Sequence, residues 1–292
     1  MKLFCMVTTS ASARYTEHAL RSFFRNTPLQ PPDRFILIDN DSDYAGGEFS
    51  ARTDILKNPA PLGFASNANQ AVDLARHFRA DLYFLNNDII FTPDWLDPFL
   101  DSEARILTPF TNRELQYDTP LFKASMIMEL SDYLGQEDGL DKLAEIHRAG
   151  ARGYHRILVA PFCAVKLPLQ IMDEVGHFDE SFGKGGGEDY DYCLRAYLGG
   201  FSVAYARSSY VLHFGGKSSW SGVESRQEQD ERELKFRAVF GYKWGLDLLK
   251  LILFEERWIV ENNPELVEEI RQGNQRRVIE VLMGDKKNEI YL

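Results

Sequence analysis

Two short segments constrain the fold of this chain more than any other feature. Phe35-Ile36-Leu37-Ile38 and Leu82-Tyr83-Phe84-Leu85 are apolar at every position, and each runs straight into a polar, acidic cluster. The first ends in Asp39-Asn40-Asp41-Ser42-Asp43, the second in Asn86-Asn87-Asp88. Successive side chains of a strand point to opposite faces, so a wholly apolar strand has both faces covered. Residues 3–8 have the same character, and a weaker strand falls at 54–57. Helical stretches near residues 15–25 and 67–78 separate these segments. Such alternation predicts an α/β fold with a single, mainly parallel central sheet flanked by helices. Ligands of such sheets bind beyond the carboxyl ends of the strands. Here those ends carry Thr8-Thr9-Ser10, Asp39 and Asn86-Asn87-Asp88, which gathers polar side chains along one edge.

Composition narrows the class. The chain has 292 residues, room for one large domain or one domain and an appendage. With 33 basic and 44 acidic residues the formal charge is −11, a surface that repels phosphate backbones and argues against nucleic acid as a partner. No apolar run approaches the roughly 18 residues of a membrane span. The N-terminal run from Leu3 to Val7 is too short for the roughly 7–15-residue core of a secretion signal. It reads as a buried strand of a cytoplasmic protein. Cys5, Cys163 and Cys193 show no CxxC spacing, so neither a disulfide framework nor a zinc site is expected.

Residues 114–156 read as an insertion with two helices, near 121–134 and 139–149. Strand character returns at 157–160, 202–206 and 210–212. Between the first two of these runs, Gly185-Gly186-Gly187 leads into Glu188-Asp189-Tyr190-Asp191, the start of a helix. From Glu224 the chain is helical, with Glu228/Arg232, Glu231/Lys235 and Glu233/Arg237 at i,i+4 spacing and Gly245 as a stop. Asn263-Pro264 caps another helix. The expected organisation is a main domain over 1–245 and a helical extension over 246–292. The extension's apolar segment 245–254 is interrupted by Asp247 and Lys250, which favours a packed helix or a homo-oligomer contact over membrane attachment.

Several common site motifs are missing: no GxGxxG follows the first strand, Val211 breaks a P-loop ending in Gly216-Lys217-Ser218, and neither GxSxG nor HExxH occurs. What remains is the acidic clusters and His213. Asp88 after two amides suits a hard cation such as Mg²⁺ or Mn²⁺, although taken alone an Asx-rich strand end is the simpler explanation. Acids opening a helix satisfy the macrodipole, and Asp191 with Arg195 forms an i,i+4 ion pair. Asp189 differs, because the preceding glycines let a ligand approach closely. At a helix N-terminus its carboxyl is expected to titrate low.

Taken in order, these segments resemble the family 2 glycosyltransferases of GT-A fold, particularly the rhamnosyltransferase-like branch. Five stretches carry the resemblance. Residues 35–42 are similar to the nucleotide-binding VDN-x-S strand end. Leu62-Gly63-Phe64-Ala65-Ser66-Asn67-Ala68-Asn69 resembles the N-x-GFA-x-x-N loop. Phe84-Leu85-Asn86-Asn87-Asp88 is similar to the LNND equivalent of DxD. Residues 175–182, with Glu188-Asp189-Tyr190-Asp191 and Arg195, resemble VGxFDExF…EDxDxxxR. Val211-Leu212-His213 resembles the metal histidine. Pro61 departs from the asparagine common before Leu-Gly-Phe, and Pro161-Phe162-Cys163 replaces smaller residues.

The resemblance implies an inverting, Mn²⁺- or Mg²⁺-dependent glycosyltransferase. It would move sugar from a nucleotide-sugar to a hydroxyl of a glycan, lipid-linked or other acceptor in polysaccharide synthesis. Asp189 would be the base, and Asp88 and His213 the metal ligands. Thr8, Asp39, Asn69, Asn86 and Asn87 would bind the nucleotide, with Asp39 favouring UDP or dTDP. Gly63, Gly186, Gly187, Glu188 and Lys217 would form the diphosphate and donor loop, and the 114–156 insertion the acceptor side. The alternatives are a catalytically silent GT-A module that binds a nucleotide-sugar or a partner, and a nucleotidyltransferase. The latter lacks the basic glycine loop it needs after the first strand.

Overall fold

The structure, a computed structural model, describes residues 1–100, 103–112, 127–217 and 224–284. The first half alternates as the apolar pattern requires: β1 (Lys2–Thr8), α1 (Ala13–Asn26), β2 (Arg34–Asp39), β3 (Asp54–Lys57), α2 (Phe64–Phe78) and β4 (Asp81–Asn86). There follow β5 (Ile89–Phe91), β6 (Arg105–Phe110), α3 (Leu130–Tyr133), α4 (Glu137–Gly150), β7 (Tyr154–Arg156) and β8 (Ala164–Leu167). Next come α5 (Leu169–Val175), α6 (Glu188–Leu198), β9 (Ser202–His213) and α7 (Arg226–Trp244). Four short helices close the chain: α8 (Leu246–Leu253), α9 (Trp258–Glu261), α10 (Pro264–Gln272) and α11 (Gln275–Met283).

The sheet runs β3-β2-β1-β4-β8-β6-β9-β5, with β7 also on β9. From β3 to β4 every pairing is parallel, as is β6 with β9. β8 is antiparallel to both of its neighbours, and β5 and β7 are antiparallel to β9. Thr8 stands opposite Asp39 and Val7 opposite Asn86, so the polar strand ends lie level along one edge, as the sequence pattern predicts.

Both faces of the sheet are buried. Phe4, Met6, Phe35, Leu37, Tyr83 and Leu85 face an aromatic cluster with Phe23, Phe91, Trp95 and Phe99. Leu3, Cys5, Ile36, Ile38, Leu82 and Phe84 face α2, α6 and the C-terminal helices. The strict alternation along β1, β2 and β4 is the period-2 geometry of a strand with two dry faces. Phe240, Trp244, Leu248, Leu251, Leu266, Val278 and Ile279 belong to the same cluster as Cys5 and Phe84. The helices after Gly245 are therefore packed on the core of the main domain. Among the described residues, no helix is long and apolar enough to cross a membrane.

The structure adds three strands that the sequence pattern does not show, β5, β6 and β8, and departs from it in further places. Residues 157–160 are buried but not strand, and the strand lies earlier, at β7. Periodicity cannot separate a buried irregular segment from a strand. The two strands read at 202–206 and 210–212 are one, β9, which bulges between them: Pro109 pairs with Ala206 and the next residue, Phe110, with Tyr210. Of the insertion helices, the second is α4; the first survives as α3, and residues 121–126 lie outside the described set.

Asp191 joins α6 to α7. It is fully buried and accepts from Arg195 Nε at 2.8 Å and Trp244 Nε1 at 2.9 Å, with Lys243 Nζ at 2.7 Å. The Arg195 pair is the one the i,i+4 spacing predicts. Removing one partner of such a buried network strands the others, at a cost of about 3–5 kcal/mol. Asp191→Ala is accordingly expected to lower the unfolding free energy by about 3 kcal/mol in urea titrations; a loss below ~1 kcal/mol would refute this assignment.

Candidate active site

Two clefts open at the carboxyl edge of the sheet. The first, about 260 Å³, is lined by Thr9, Ser10, Asn40, Asp41, Leu62, Gly63, Asn67 and Asn86, among others. The second, about 400 Å³, includes Phe162, Glu188, Asp189, His213, Arg232 and Phe236 in its lining. Phe64 and Asn86 line both.

An amide cluster shapes the first cleft. Asn40 Oδ1 accepts from Leu62 N (2.8 Å), Asn58 Nδ2 (2.9 Å) and Asn67 Nδ2 (3.2 Å), while Asn40 Nδ2 donates to the Leu62 carbonyl at 3.1 Å. These buried amides satisfy one another and pin the Leu62–Gly63 turn to the end of β2. Gly63 then meets the loop before α6. A Cβ on Gly63 would stand 2.7 Å from the Gly183 carbonyl oxygen, so only glycine fits there. Phe64 N donates to the Lys184 carbonyl at 3.1 Å, tying the two loops together.

Asp88 and His213 meet because β5 runs antiparallel to β9 with Ile89 opposite His213. Phe214 N donates to the Asp88 carbonyl at 3.0 Å. Asp88 Oδ1 lies 3.3 Å from His213 Nε2, Asp88 is fully buried, and its Oδ1 has no hydrogen bond of good geometry. Burial works against the Asp88 charge. The His213 imidazole and the Lys217 N–H (3.1 Å from Oδ2) outweigh it and hold this carboxyl below its ordinary value. A buried carboxylate oxygen facing an imidazole nitrogen is a donor set that fits a divalent cation. No cluster of three or more His, Cys, Asp or Glu able to hold a metal occurs among the described residues. The pair would thus supply two ligands and leave the remaining positions to water and phosphate oxygens.

Asp189 sits in the first turn of α6, with Oδ1 accepting from Tyr190 N (2.8 Å) and Oδ2 from Phe162 N (3.2 Å). The preceding Glu188, 3% exposed, accepts from Gly186 N. Burial raises the carboxyls of both above the ordinary range, and for Glu188 the Asp189 charge adds to it. The low-titrating Asp189 expected from helix position alone is thereby corrected. Desolvation outweighs the helix N-terminus and the two backbone donors. α7 covers this turn. The Phe236 ring leaves no room for a Cβ on Gly186, which would fall 2.6 Å from it, and Gly186 adopts φ +127°. Arg232 pairs with Glu224 at 3.0 Å and reaches the Gly185 carbonyl at 3.4 Å. The i,i+4 spacing had assigned Arg232 to Glu228, but Glu228 caps α7 through Ser225. Glu233 and Arg237 do pair, at 2.8 Å.

Not every site residue read from the sequence faces a cleft. The Asn87 amide is wholly buried and donates to Ser12 Oγ and Thr16 Oγ1, both at 2.7 Å, anchoring the start of α1. Thr8 is buried against Thr16 at 2.7 Å. Asn69 holds Phe178 through its backbone (2.7 and 3.1 Å) and Glu180 (2.9 Å). Asp39 Oδ1 closes its own turn on Ser42 N at 2.8 Å. The neighbours Thr9, Asn40, Asn67 and Asn86 line the first cleft instead. A strand-end cluster identifies the right edge, but the pleat decides which member looks outward. The Lys217 ammonium pairs with Glu129 at 2.8 Å. None of the described residues of the 114–156 segment lines either cleft. Arg232 and Phe236, on α7, line the second cleft, a placement that local spacing could not assign.

Because their folded-state values are raised, Glu188 and Asp189 contribute stability at low pH that is lost as pH rises through those values. Glu188→Gln is expected to melt at a higher temperature than the unaltered chain at pH 8 and to differ little near pH 4. A lower melting temperature at pH 8 would contradict the burial argument.

No protein-family model matches the chain, and no curated protein matches it. Solved structures do. GalNAc-T7 with UDP, GalNAc and Mn²⁺ superposes with a TM-score of 0.57 at 15% identity, over 93% of this chain and 57% of its own length. The mannosyltransferase PcManGT of Pyrobaculum calidifontis, with GDP-Man and Mn²⁺, gives 0.52 at 11% identity, over 95% and 73%. Residues 1–349 of S. aureus TarS with UDP-GlcNAc give 0.50 at 12%, over 94% and 92%. The chain thus spans a little over half of the first of these proteins, and its fold is the GT-A fold of glycosyltransferases.

Proposed function

We propose that the protein is an inverting, metal-dependent glycosyltransferase that moves a sugar from a nucleotide-sugar, UDP- or dTDP-linked, to an acceptor hydroxyl in glycan synthesis. The observation that carries this reading is the joint presence of Asp189 and His213 in one cleft, with Asp88 directly behind His213, beside a second cleft at the ends of β1, β2 and β4. The solved neighbours were captured with UDP, GDP-Man and UDP-GlcNAc, and two of them with Mn²⁺. Residues 1–245 form the catalytic unit in this reading, and the helices that follow brace it.

The first cleft takes the nucleotide, with Asn40 and Asn86 in its lining and Asn86 at the ribose, while Asp39, held to Ser42, closes the turn at the end of β2. Asp88 and His213 would hold Mn²⁺ or Mg²⁺, which would offset the charge of a departing diphosphate. Asp189 removes the proton of the acceptor hydroxyl as its oxygen bonds to the anomeric carbon, and the nucleoside diphosphate leaves with the electron pair of the broken bond. Inversion requires this one carboxylate. Its raised proton affinity makes it a better base for an alcohol than an ordinary aspartate. Glu188, still more reluctant to ionise, keeps a second charge away from it.

Release of nucleoside diphosphate from a panel of nucleotide-sugars with Mn²⁺ tests the proposal. Asp189→Asn should lower turnover about 10²–10⁴-fold, and equal release from both proteins would remove Asp189 as the base and favour a silent binding module. His213→Ala should weaken Mn²⁺ binding measured by electron paramagnetic resonance; unaltered binding would refute its role as ligand. The acid limb of the pH–rate profile should lie above the ordinary aspartate value of about 3.9, since activity requires the ionised base.

A further inference from the structure

The second cleft borrows Phe64 and Asn86 from the nucleotide side, and its outer wall comes from α7 and α8: Arg232, Glu233, Phe236 and Leu253. Phe162, Asp189 and Tyr190 line the same cleft. Phe236 lies against Gly186 and Gly187, so its ring is stacked on the loop that presents the base. The charges are lopsided. Asp189 and Glu233 stand against Arg232, whose guanidinium is engaged by Glu224 at 3.0 Å with both side chains about a tenth exposed, and Glu188 is reluctant to ionise. Glu233 is itself oriented by Arg237 and keeps 32% of its side chain exposed. An anionic acceptor would meet like charge here. A sugar ring has an apolar face for an aromatic platform and hydroxyls that donate to a carboxylate.

We propose that α7 builds the acceptor subsite and that its occupant is an uncharged saccharide, stacked on Phe236 and donating a hydroxyl to Glu233. This rests on the glycosyl-transfer reading of the site and names the acceptor class that reading leaves open. It moves the acceptor wall from the 114–156 insertion to the helix that clamps the base loop.

Saturation-transfer NMR on the full chain with UDP and Mn²⁺ tests it, with cellobiose, lactose and N-acetyllactosamine as neutral probes and glucose 6-phosphate as the anionic one. At least one neutral disaccharide should bind, with glucose 6-phosphate weaker by about 10-fold or more. Phe236→Leu and Glu233→Gln should each weaken the disaccharide about 10-fold, the loss of one good contact. Melting temperatures serve as the folding control, and Glu233→Gln, which preserves the shape of a half-buried side chain, keeps the test decisive should Phe236→Leu fail to fold. Absence of disaccharide binding, equal or tighter binding of glucose 6-phosphate, or indifference to both substitutions would overturn the subsite. Failure of the underlying reading looks different: no Asp189-dependent release of nucleoside diphosphate, with disaccharide binding still sensitive to α7.

Discussion

Two adjacent carboxylates, Glu188 buried and Asp189 half-buried at the cleft, set the terms for the architecture around them. Ionising both in so small a volume is costly, and the surrounding elements manage that cost. Backbone N–H groups of Gly186, Tyr190 and Phe162 solvate the oxygens. Three glycines with positive φ bring the chain into α6 at an angle that L side chains resist. α7 then lies over the loop, with Phe236 filling the space the absent Cβ atoms leave. Further along, Asp191, Lys243 and Trp244 fasten the same two helices at a second level. The helix after the sheet is thus part of the site's scaffold.

Much of this could be read from the residues. Wholly apolar runs ending in Asp39 and Asn86-Asn87-Asp88 located the parallel half of the sheet and its polar edge, because strands buried on both faces are characteristic of parallel sheets. The union of Asp88 with His213 followed only from resemblance. Nothing local in the sequence announces that β5, three residues long, pairs with the end of β9. Short strands such as β5, β7 and β8 carry too little periodicity to be seen.

Side-chain direction was the least legible level. Asn86 and Asn87 are neighbours in one cluster, yet the pleat sends one to both clefts and the other under α1. Asn67 and Asn69 divide similarly on α2. The proton affinity of Asp189 shows the same limit in energetic form. Its place at a helix N-terminus was evident from sequence, but desolvation by distant elements reverses the direction of the shift. Pairing along α7 likewise yielded to tertiary structure when Arg232 turned away from Glu228 to Glu224.

The pairing of Ile89 with His213 bears on how the protein matures. Asp88 and His213 become neighbours only when the last strand of the sheet has found its register, after the chain has closed a very long loop. A nascent or partly folded chain therefore keeps these two side chains apart. In the proposed reading, divalent-cation affinity would then report that the sheet has been completed.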